Sequence, residues 1–254
     1  MHISRLIGAG VALALAFGTA TARAEVKTQW IDYKQGDTQL RGYLAYDDAV
    51  KDKRPAVLLV HRRDGMTPLT LQNAEMVARL GYVVFAPDIF GAVPKDEEES
   101  KAMSARFNKD RPLMRARAQA GFDILRSNPM VDVSRIAVLG YCFGGTTAVE
   151  FAETGAPIVG TVTIHGSFRN FQHDAAKNIH GRMLILHGAE DPVAPMNEVN
   201  AVISQLRGAK VDFELNLYSG TTHGFTHPQN PAEVRADEQY KVAMTRFLKE
   251  VLAH

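Results

Sequence analysis

The sequence contains a single cysteine, Cys142, and so cannot close a disulfide bond within its own chain. It also lacks an excess of charge of either sign, since 29 basic residues stand against 28 acidic ones. A protein that binds nucleic acid needs surplus Lys and Arg to neutralise phosphates, so nucleic acid is excluded as the main partner. An apolar content of 46% with 22% charged residues indicates a globular protein rather than a disordered or fibrous one.

Only one long apolar run is present, and it lies near the N-terminus, from Leu6 to Ala20. It follows the basic Arg5 and precedes Thr21-Ala22-Arg23-Ala24, a pattern typical of a secretory signal peptide cleaved after Ala24. The alternative, an uncleaved membrane anchor, is disfavoured because the run is short for a transmembrane helix. We therefore expect a periplasmic or secreted protein of residues 25–254, without membrane association after cleavage.

Export would place Cys142 in an oxidising compartment, where cysteines usually pair. A lone cysteine there is an inert buried residue, an intermolecular link or a thiol kept for chemistry. Residue count alone favours burial, because free cysteine is among the most buried residue types. The residues around Cys142 favour chemistry instead.

Strands and helices alternate along the mature chain. An N-terminal β-hairpin is predicted from two alternating runs around Gly36, and a mostly parallel sheet with helices on both faces is predicted from residue 55 onward. The predicted strands are Thr28–Tyr33, Leu40–Tyr46, Ala56–Val60, Tyr82–Ala86, Ile136–Leu139, Ile158–Ile164, Met183–Leu186 and Val211–Tyr218. The predicted helices are Thr70–Leu80, Pro112–Arg126, Thr146–Ala152, Glu198–Leu206 and a final one that begins at Pro231. We expect this final helix to be capped by Asn230, with Glu233 reaching back as in a capping box. Residues 88–100, with the acidic run 96–99, are expected to form a solvated surface loop.

Cys142 stands in the segment Gly140-Tyr141-Cys142-Phe143-Gly144-Gly145, between a predicted strand and a predicted helix. This is the pattern of a nucleophile elbow, with Cys where Ser is usual. Such a turn raises the nucleophile above the sheet and directs the next backbone N–H, here that of Phe143, towards the same space as half of an oxyanion hole. The helix N-terminus favours a thiolate.

Two further loops carry the partners that a nucleophilic cysteine needs. Asp191 follows the predicted strand Met183–Leu186 and can orient a histidine; Glu190 is the competing acid. His223, between Gly220 and Gly224, follows the predicted strand Val211–Tyr218. Nucleophile, acid and histidine in this chain order are typical of α/β-hydrolase triads.

The loop after the strand Ala56–Val60 reads His61-Arg62-Arg63-Asp64-Gly65. In an α/β-hydrolase the corresponding loop supplies the second oxyanion N–H, and Arg63 is the candidate for that amide. Arg62 and Tyr141 are candidates for tuning the thiol or contacting the substrate. A side chain of Arg62 that points into the site would favour the thiolate, whereas one that turns to solvent would not.

With these motifs the chain resembles the dienelactone hydrolase family. The resemblance rests on the cysteine elbow, on Asp191-Pro192, on His223-Gly224-Phe225 and on the segment Gly81–Gly91, and it extends over essentially the whole mature chain. It implies a single α/β-hydrolase domain, no cofactor and no metal, and a Cys142–His223–Asp191 triad. It also implies hydrolysis of small esters or lactones through a thioester intermediate, by a protein for which we favour a monomer.

The sequence departs from the better-known members of this family at three places. Arg62 stands where they carry a Glu that holds the resting thiol. The arginines that grip a substrate carboxylate in those members are absent, and the matching positions read Gly91-Ala92 and Thr226-His227. These departures predict a substrate other than dienelactone.

Two other functions use the same residues. An acyltransferase would carry the same triad with an acceptor other than water. A thiol sensor or binding protein would retain the elbow without catalysis, but a positioned Asp and His would then be superfluous.

Overall fold

The structure is a computed structural model and describes residues 25–49, 52–169 and 174–253. The predicted signal peptide, residues 1–24, lies outside the described residues.

The described residues form one eight-stranded sheet in the spatial order β1-β2-β4-β3-β5-β6-β7-β8. The strands are β1 (Val26–Gln35), β2 (Thr38–Asp47), β3 (Arg54–Val60), β4 (Val83–Ala86), β5 (Val131–Tyr141), β6 (Gly160–Ile164), β7 (Arg182–Gly188) and β8 (Phe213–Tyr218). Strand β2 runs antiparallel to both β1 and β4, and the strands from β4 to β8 pair in parallel. The predicted hairpin and the predicted mostly parallel sheet are both confirmed.

Helices cover both faces of this sheet. They are α1 (Pro68–Ala78), α2 (Glu97–Lys109), α3 (Arg111–Ser127), α4 (Phe143–Ala152), α5 (Met196–Gly208) and α6 (Pro231–Leu252). Buried side chains of α1 and α6 pack on one face, and those of α2 to α5 pack on the other. None of the helices in the described ranges is both long and apolar enough to cross a membrane.

The continuous apolar run of β3 follows from burial on both faces. Leu58 and Val60 belong to the core under α2 to α5, whereas Val57 and Leu59 belong to the core under α1 and α6. Successive side chains of a strand point to opposite faces, so a strand covered on both sides needs an apolar residue at every position. The same reasoning applies to β5 and β7, and it holds the carboxyl ends of these strands in one rigid layer.

The predicted surface loop over residues 88–100 is wrong in its last part, because α2 begins at Glu97. Asp96 caps this helix by accepting a hydrogen bond from the Glu99 amide at 2.8 Å. The acidic residues of the first turn face the positive end of the helix dipole, and Arg106 and Lys109 lie at its negative end. The acidic run therefore starts a helix that packs beside the site.

The cap of α6 differs in one contact from the predicted capping box. Asn230 Oδ1 accepts from the Glu233 amide at 3.0 Å, as expected. The Glu233 carboxylate accepts from the amide of Gln229 at 2.8 Å and from the hydroxyl of Thr222 at 3.0 Å. The start of α6 is thereby bonded to the loop that carries His223.

Candidate active site

Cys142, Asp191 and His223 follow the carboxyl ends of β5, β7 and β8. These strands and β6 are parallel neighbours, so their carboxyl ends lie along one edge of the sheet. Ligands of open α/β sheets bind beyond this edge. The topology therefore brings together three residues that are up to 81 positions apart in the sequence.

Cys142 occupies a strained turn between β5 and α4. Its backbone lies at φ 53° and ψ −118°, a conformation that costs a non-glycine residue about 1–3 kcal/mol. The Cys142 amide donates to the carbonyl of Ile164 at 2.9 Å, which fixes the turn against β6. A β-carbon at Gly140 would overlap the carbonyl of Gly144, and one at Gly144 would overlap that of Val60. The glycines of the elbow are therefore required by close backbone packing.

A continuous chain of polar contacts links the three side chains. Cys142 Sγ lies 3.1 Å from His223 Nε2, and His223 Nδ1 lies 2.8 Å from Asp191 Oδ2. The other oxygen of Asp191 accepts from the amides of Val193 and Ala194 at 2.8 and 3.0 Å. The carboxylate is fully buried, and these two amides fix its orientation towards the imidazole.

Glu190, the competing acid, has a different position. Its carboxylate accepts from the amide of Thr221 at 3.0 Å, while the amide of Glu190 donates to the Thr221 carbonyl at 3.0 Å. Glu190 thus braces the loop of His223 from one side, and Glu233 braces it at Thr222 from the other. Asp191, and not Glu190, therefore makes the contact that orients His223.

The electrostatics of Cys142 and His223 favour a thiolate next to an imidazolium. Burial by itself would raise the pKa of the Cys142 thiol, but the hydrogen bond and charge of His223, the Phe143 amide and the charge of Arg62 together hold this pKa below its usual value. Burial would lower the pKa of His223, yet its bonds to Asp191 and Cys142 raise it to about 9. These interactions favour the thiolate form of Cys142 over the thiol, which suits a nucleophile.

A cavity of about 150 Å³ opens above Cys142. It is lined by Arg63, Ser104, Asn108, Cys142, Phe143, Thr146, Ser167, Val193 and His223. Both residues predicted to supply oxyanion amides, Phe143 and Arg63, are among them. A larger depression, of about 690 Å³, lies between β8 and α6. The described residues that line it include neither a thiol nor an imidazole, so the smaller cavity is the candidate active site.

The loop that carries Arg62 and Arg63 is held by His61. The buried His61 ring lies 2.6 Å from the Arg62 carbonyl through Nδ1 and accepts from the Ile89 amide at 3.0 Å through Nε2. These contacts fit a neutral ring protonated on Nδ1, and burial lowers the pKa of His61 accordingly. The Arg63 carbonyl accepts from Ser100 Oγ at 2.7 Å, which ties the same loop to α2.

The two adjacent arginines differ in environment. The guanidinium of Arg63 pairs with Glu97 at 2.6 Å at the rim of the cavity. The side chain of Arg62 is 21% exposed, with its Nε 3.9 Å from Asp64 Oδ2. Its positive charge lowers the pKa of Cys142 and also that of His165. The charge of Arg62 therefore acts on Cys142 and on the neighbouring His165.

Tyr141 lies away from the cavity. Its side chain is buried, and its ring packs against those of His165 and Tyr240 at centroid distances of 6.4 and 6.3 Å. The structure therefore places Tyr141 in the core under the elbow, and the geometry does not bring it to the substrate side.

Sequence reasoning missed two groups of residues near the thiol. Ser104 and Asn108 line the cavity from α2, the helix that the sequence did not predict. His165 follows β6 and packs edge-on against His223, with ring centroids 5.1 Å apart. The rule that selected Cys142, Asp191 and His223, a polar residue directly after a buried strand, also applies to His165 and would have found it.

Replacing Arg62 by Ala should slow alkylation of Cys142 by iodoacetamide near neutral pH. The pKa of Cys142 is held low in the folded protein, so thiolate is present above that pKa and is lost as the pH falls through it. Removing the guanidinium raises this pKa and should move the fall in rate to higher pH. Arg63→Ala is the matched control, because the side chain of Arg63 pairs with Glu97 instead. If the rate profiles of Arg62→Ala and the unchanged protein superimpose, Arg62 does not tune the thiol.

Residues 40–252 match the dienelactone hydrolase family. A curated relative, a carboxymethylenebutenolidase homolog of Mus musculus, is 26% identical over 204 residues, which are 79% of this chain and 82% of that protein. "Protein usf" of Aquifex pyrophilus is 25% identical over 233 residues, covering 88% of this chain and 99% of that protein.

Two solved structures are similar to this chain in both sequence and fold. The structure named m3DLH is 33% identical with a TM-score of 0.83, and the match covers 89% of this chain and 99% of that one. A dienelactone hydrolase-like promiscuous phosphotriesterase from metagenomic libraries is 30% identical with a TM-score of 0.84, covering 90% and 99%. The elbow, the fold and these similarities agree: the chain belongs to the dienelactone hydrolase family, whose α/β-hydrolase fold it has.

Proposed function

We propose that this protein hydrolyses small carboxylic esters or lactones through an acyl-enzyme on Cys142. The observation that carries the proposal is the unbroken chain of contacts from Sγ through the His223 ring to Asp191, at 3.1 and 2.8 Å, beside a small cavity. Membership of a hydrolase family supports the same reaction class.

The reaction begins with attack of the Cys142 thiolate on the ester carbonyl carbon. The carbonyl oxygen gains the negative charge, and the backbone amides of Phe143 and Arg63 are proposed to stabilise it. His223 carries the proton that the leaving alkoxide takes up, which produces a thioester and the free alcohol. His223 then removes a proton from water, the water oxygen attacks the thioester, and Cys142 leaves as the thiolate.

The lining of the cavity supports a small acyl group. About 150 Å³ leaves room for a short chain, and Ser104, Asn108 and Ser167 place polar groups in its wall. A thiolate reacts well with activated esters and lactones, whereas amides need stronger proton donation to their leaving group. We therefore expect ester and lactone substrates rather than amides.

A second candidate activity is hydrolysis of phosphotriesters. It is favoured by the 30% identity to a solved structure described as a promiscuous phosphotriesterase. In this reaction the thiolate attacks phosphorus in place of a carbonyl carbon, and the aryl or alkyl oxygen leaves with a proton from His223. His223 then removes a proton from water, the water oxygen attacks phosphorus, and Cys142 leaves as the thiolate while the phosphodiester is released.

The test is a hydrolysis screen of nitrophenyl esters of increasing acyl length, lactones and an aryl dialkyl phosphate. We expect a burst of nitrophenol equal in amount to the protein, followed by steady turnover, with mass spectrometry locating the acyl group on Cys142. Faster product release with added alcohols would identify an acyltransferase. A protein that binds these compounds but releases no nitrophenol would fit the thiol-sensor function and contradict the proposal.

We also propose that the protein is exported and acts in the periplasm or outside the cell. The support is the N-terminal pattern of a basic start, an apolar centre and a small-residue exit at Ala22-Arg23-Ala24.

A further inference from the structure

A second histidine lies beside the reactive pair. His165 is fully buried at the carboxyl end of β6, and its backbone adopts a left-handed conformation, with φ 41°. One ligand atom from each of Cys142, His165 and His223 lies within 4.8 Å of the other two. The triad mechanism uses Cys142 and His223 and leaves His165 without a part in it.

His165 also has an unused hydrogen-bonding atom. Its Nε2 lies 3.2 Å from Thr226 Oγ1, but its Nδ1 is buried and has no hydrogen-bond partner among the described residues. Buried polar atoms in proteins are almost always bonded, so each exception requires a reason.

We propose that Cys142, His165 and His223 together form a binding site for a thiophilic divalent cation such as Zn²⁺, and that occupation of this site blocks the hydrolase. Thiolate and imidazole are the ligands that Zn²⁺ prefers in proteins. Binding itself goes beyond the proposed function, whereas the inhibitory effect rests on it.

The spacing of the three atoms is close to that of a zinc site. Zn–S and Zn–N bonds of ordinary length place the ligand atoms of a tetrahedral site roughly 3.3–3.6 Å apart. Cys142 Sγ and His223 Nε2 are already 3.1 Å apart. With all three atoms inside 4.8 Å, the His165 ring needs to approach by roughly 1 Å to complete the set. Cys142 and His223 line the cavity, and we expect water from this side to occupy the fourth position.

The surroundings of the histidines match those of metal ligands. A histidine that binds a metal commonly donates its second ring N–H to a carboxylate or another oxygen. His223 Nδ1 lies 2.8 Å from Asp191, and a ring nitrogen of His165 lies 3.2 Å from the hydroxyl of Thr226. Both rings therefore have an oxygen partner that can fix their orientation around a cation.

The charge of the site also allows a cation. Arg62 opposes it, but the Cys142 thiolate and Asp191 are negative, and Asp64 lies 3.9 Å from the Arg62 Nε. Zn²⁺ would replace the proton held between Sγ and Nε2, and that proton would leave to solvent. The lone pairs of the nucleophile and of the base would then both be bound to the metal, which stops attack on a substrate.

The first measurement uses the full mature protein with Co²⁺ as a spectroscopic probe. We expect a sulfur-to-cobalt charge-transfer band with the intense visible bands of a four-coordinate ion, and loss of the charge-transfer band in Cys142→Ala. Zn²⁺ should displace Co²⁺. X-ray absorption of the zinc-bound protein should show one sulfur and two imidazole ligands, and a single imidazole would overturn the three-residue site.

The second measurement compares zinc affinities of two histidine variants by chelator competition. His165→Asn keeps a residue type that tolerates the left-handed backbone but removes the ligand, and should weaken binding about 100-fold or more. His180→Asn is the matched control, because His180 is exposed and lies outside the cluster. Equal zinc affinity in His165→Asn and the unchanged protein would overturn the proposal.

The third measurement concerns activity. Zn²⁺ should inhibit ester hydrolysis, and a chelator should restore it, with weaker inhibition in His165→Asn relative to that variant's own rate. Stimulation by Zn²⁺ would overturn the inhibitory role. If no ester is hydrolysed under any condition, the proposed function fails, while the cobalt spectrum and X-ray absorption still decide whether the metal binds.

Discussion

Cys142→Ala is expected to abolish ester hydrolysis, with a fall in kcat/KM of about 10⁵-fold or more. The variant removes the atom that we propose attacks the carbonyl, and it leaves the proposed oxyanion amides and the cavity in place. In enzymes with a nucleophile–histidine–acid triad, loss of the nucleophile leaves only the small residual rate that the oxyanion hole and substrate binding supply. The measurement is steady-state kinetics on the most reactive nitrophenyl ester.

Stability distinguishes this result from simple unfolding. The sulfur lies in a turn above the sheet rather than in either core, and alanine adds no atom to the crowded elbow. We expect the thermal unfolding transition to shift by only a few degrees, about the effect of 1 kcal/mol in a domain of this size. A well-folded Cys142→Ala protein that kept most of its activity would remove Cys142 from the mechanism and with it the acyl-enzyme.

The loops that follow buried strands could be predicted from sequence for a physical reason. Runs such as Ala56–Val60 and Met183–Leu186 are apolar at every position because both faces are covered, so the strands are visible without an alignment. Their parallel arrangement then brings the carboxyl ends to one edge, which selected Cys142, Asp191 and His223. The sequence did not decide which of Glu190 and Asp191 is the acid of the triad, because the two residues are adjacent in the chain. The structure resolves it by which carboxylate bonds to Thr221 and which to His223.

Helix α2 could not be predicted in the same way. Over Glu97–Lys109 only Ser100 and Phe107 are buried, so the apolar stripe that identifies a packed helix is almost absent. Its stability comes from the Asp96 cap and from charges placed to suit the helix dipole, which in sequence look like an ordinary acidic surface. Ser104 and Asn108 reach the cavity only because this helix exists, so part of the substrate side of the site was hidden as well.

His165 shows a different reason for an incomplete prediction. A triad needs one histidine, and His223 satisfied the order of nucleophile, acid and base, so no chemical role was left for a second ring. The rule of a polar residue after a buried strand marks His165 as a candidate, but it does not say what the residue contacts. The coordinates show that β6 lies between β5 and β7, so the residue after it packs against His223. A motif derived from a known mechanism selects only the residues of that mechanism and passes over their neighbours.

His223→Ala and Asp191→Asn are expected to lower kcat/KM by clearly different amounts. In the proposed mechanism His223 stabilises the thiolate, protonates the leaving alkoxide and activates water, so its loss should cost about 10⁴-fold to 10⁶-fold. In that mechanism Asp191 acts through the imidazole. The side-chain oxygen of Asn can still accept hydrogen bonds from the amides of Val193 and Ala194. We expect Asp191→Asn to cost less than the roughly 10⁴-fold typical of serine triads, because a thiol depends less on base assistance than a hydroxyl does.

The pH profile separates an orienting acid from a merely structural one. The pKa of His223 is about 9 against an ordinary 6.5, since its bonds to Asp191 and Cys142 outweigh the opposing effect of burial. The imidazolium is therefore present below pH 9 and is lost above it. Replacing Asp191 by Asn removes part of this stabilisation, so the alkaline fall in kcat/KM should move to lower pH. Glu190→Gln is the control: it alters a neighbouring carboxylate that bonds to the Thr221 amide, and should leave the alkaline limb in place with a far smaller loss of rate. If Asp191→Asn instead keeps the rate and pH profile of the unchanged protein while Glu190→Gln loses both, the acid of the triad is Glu190.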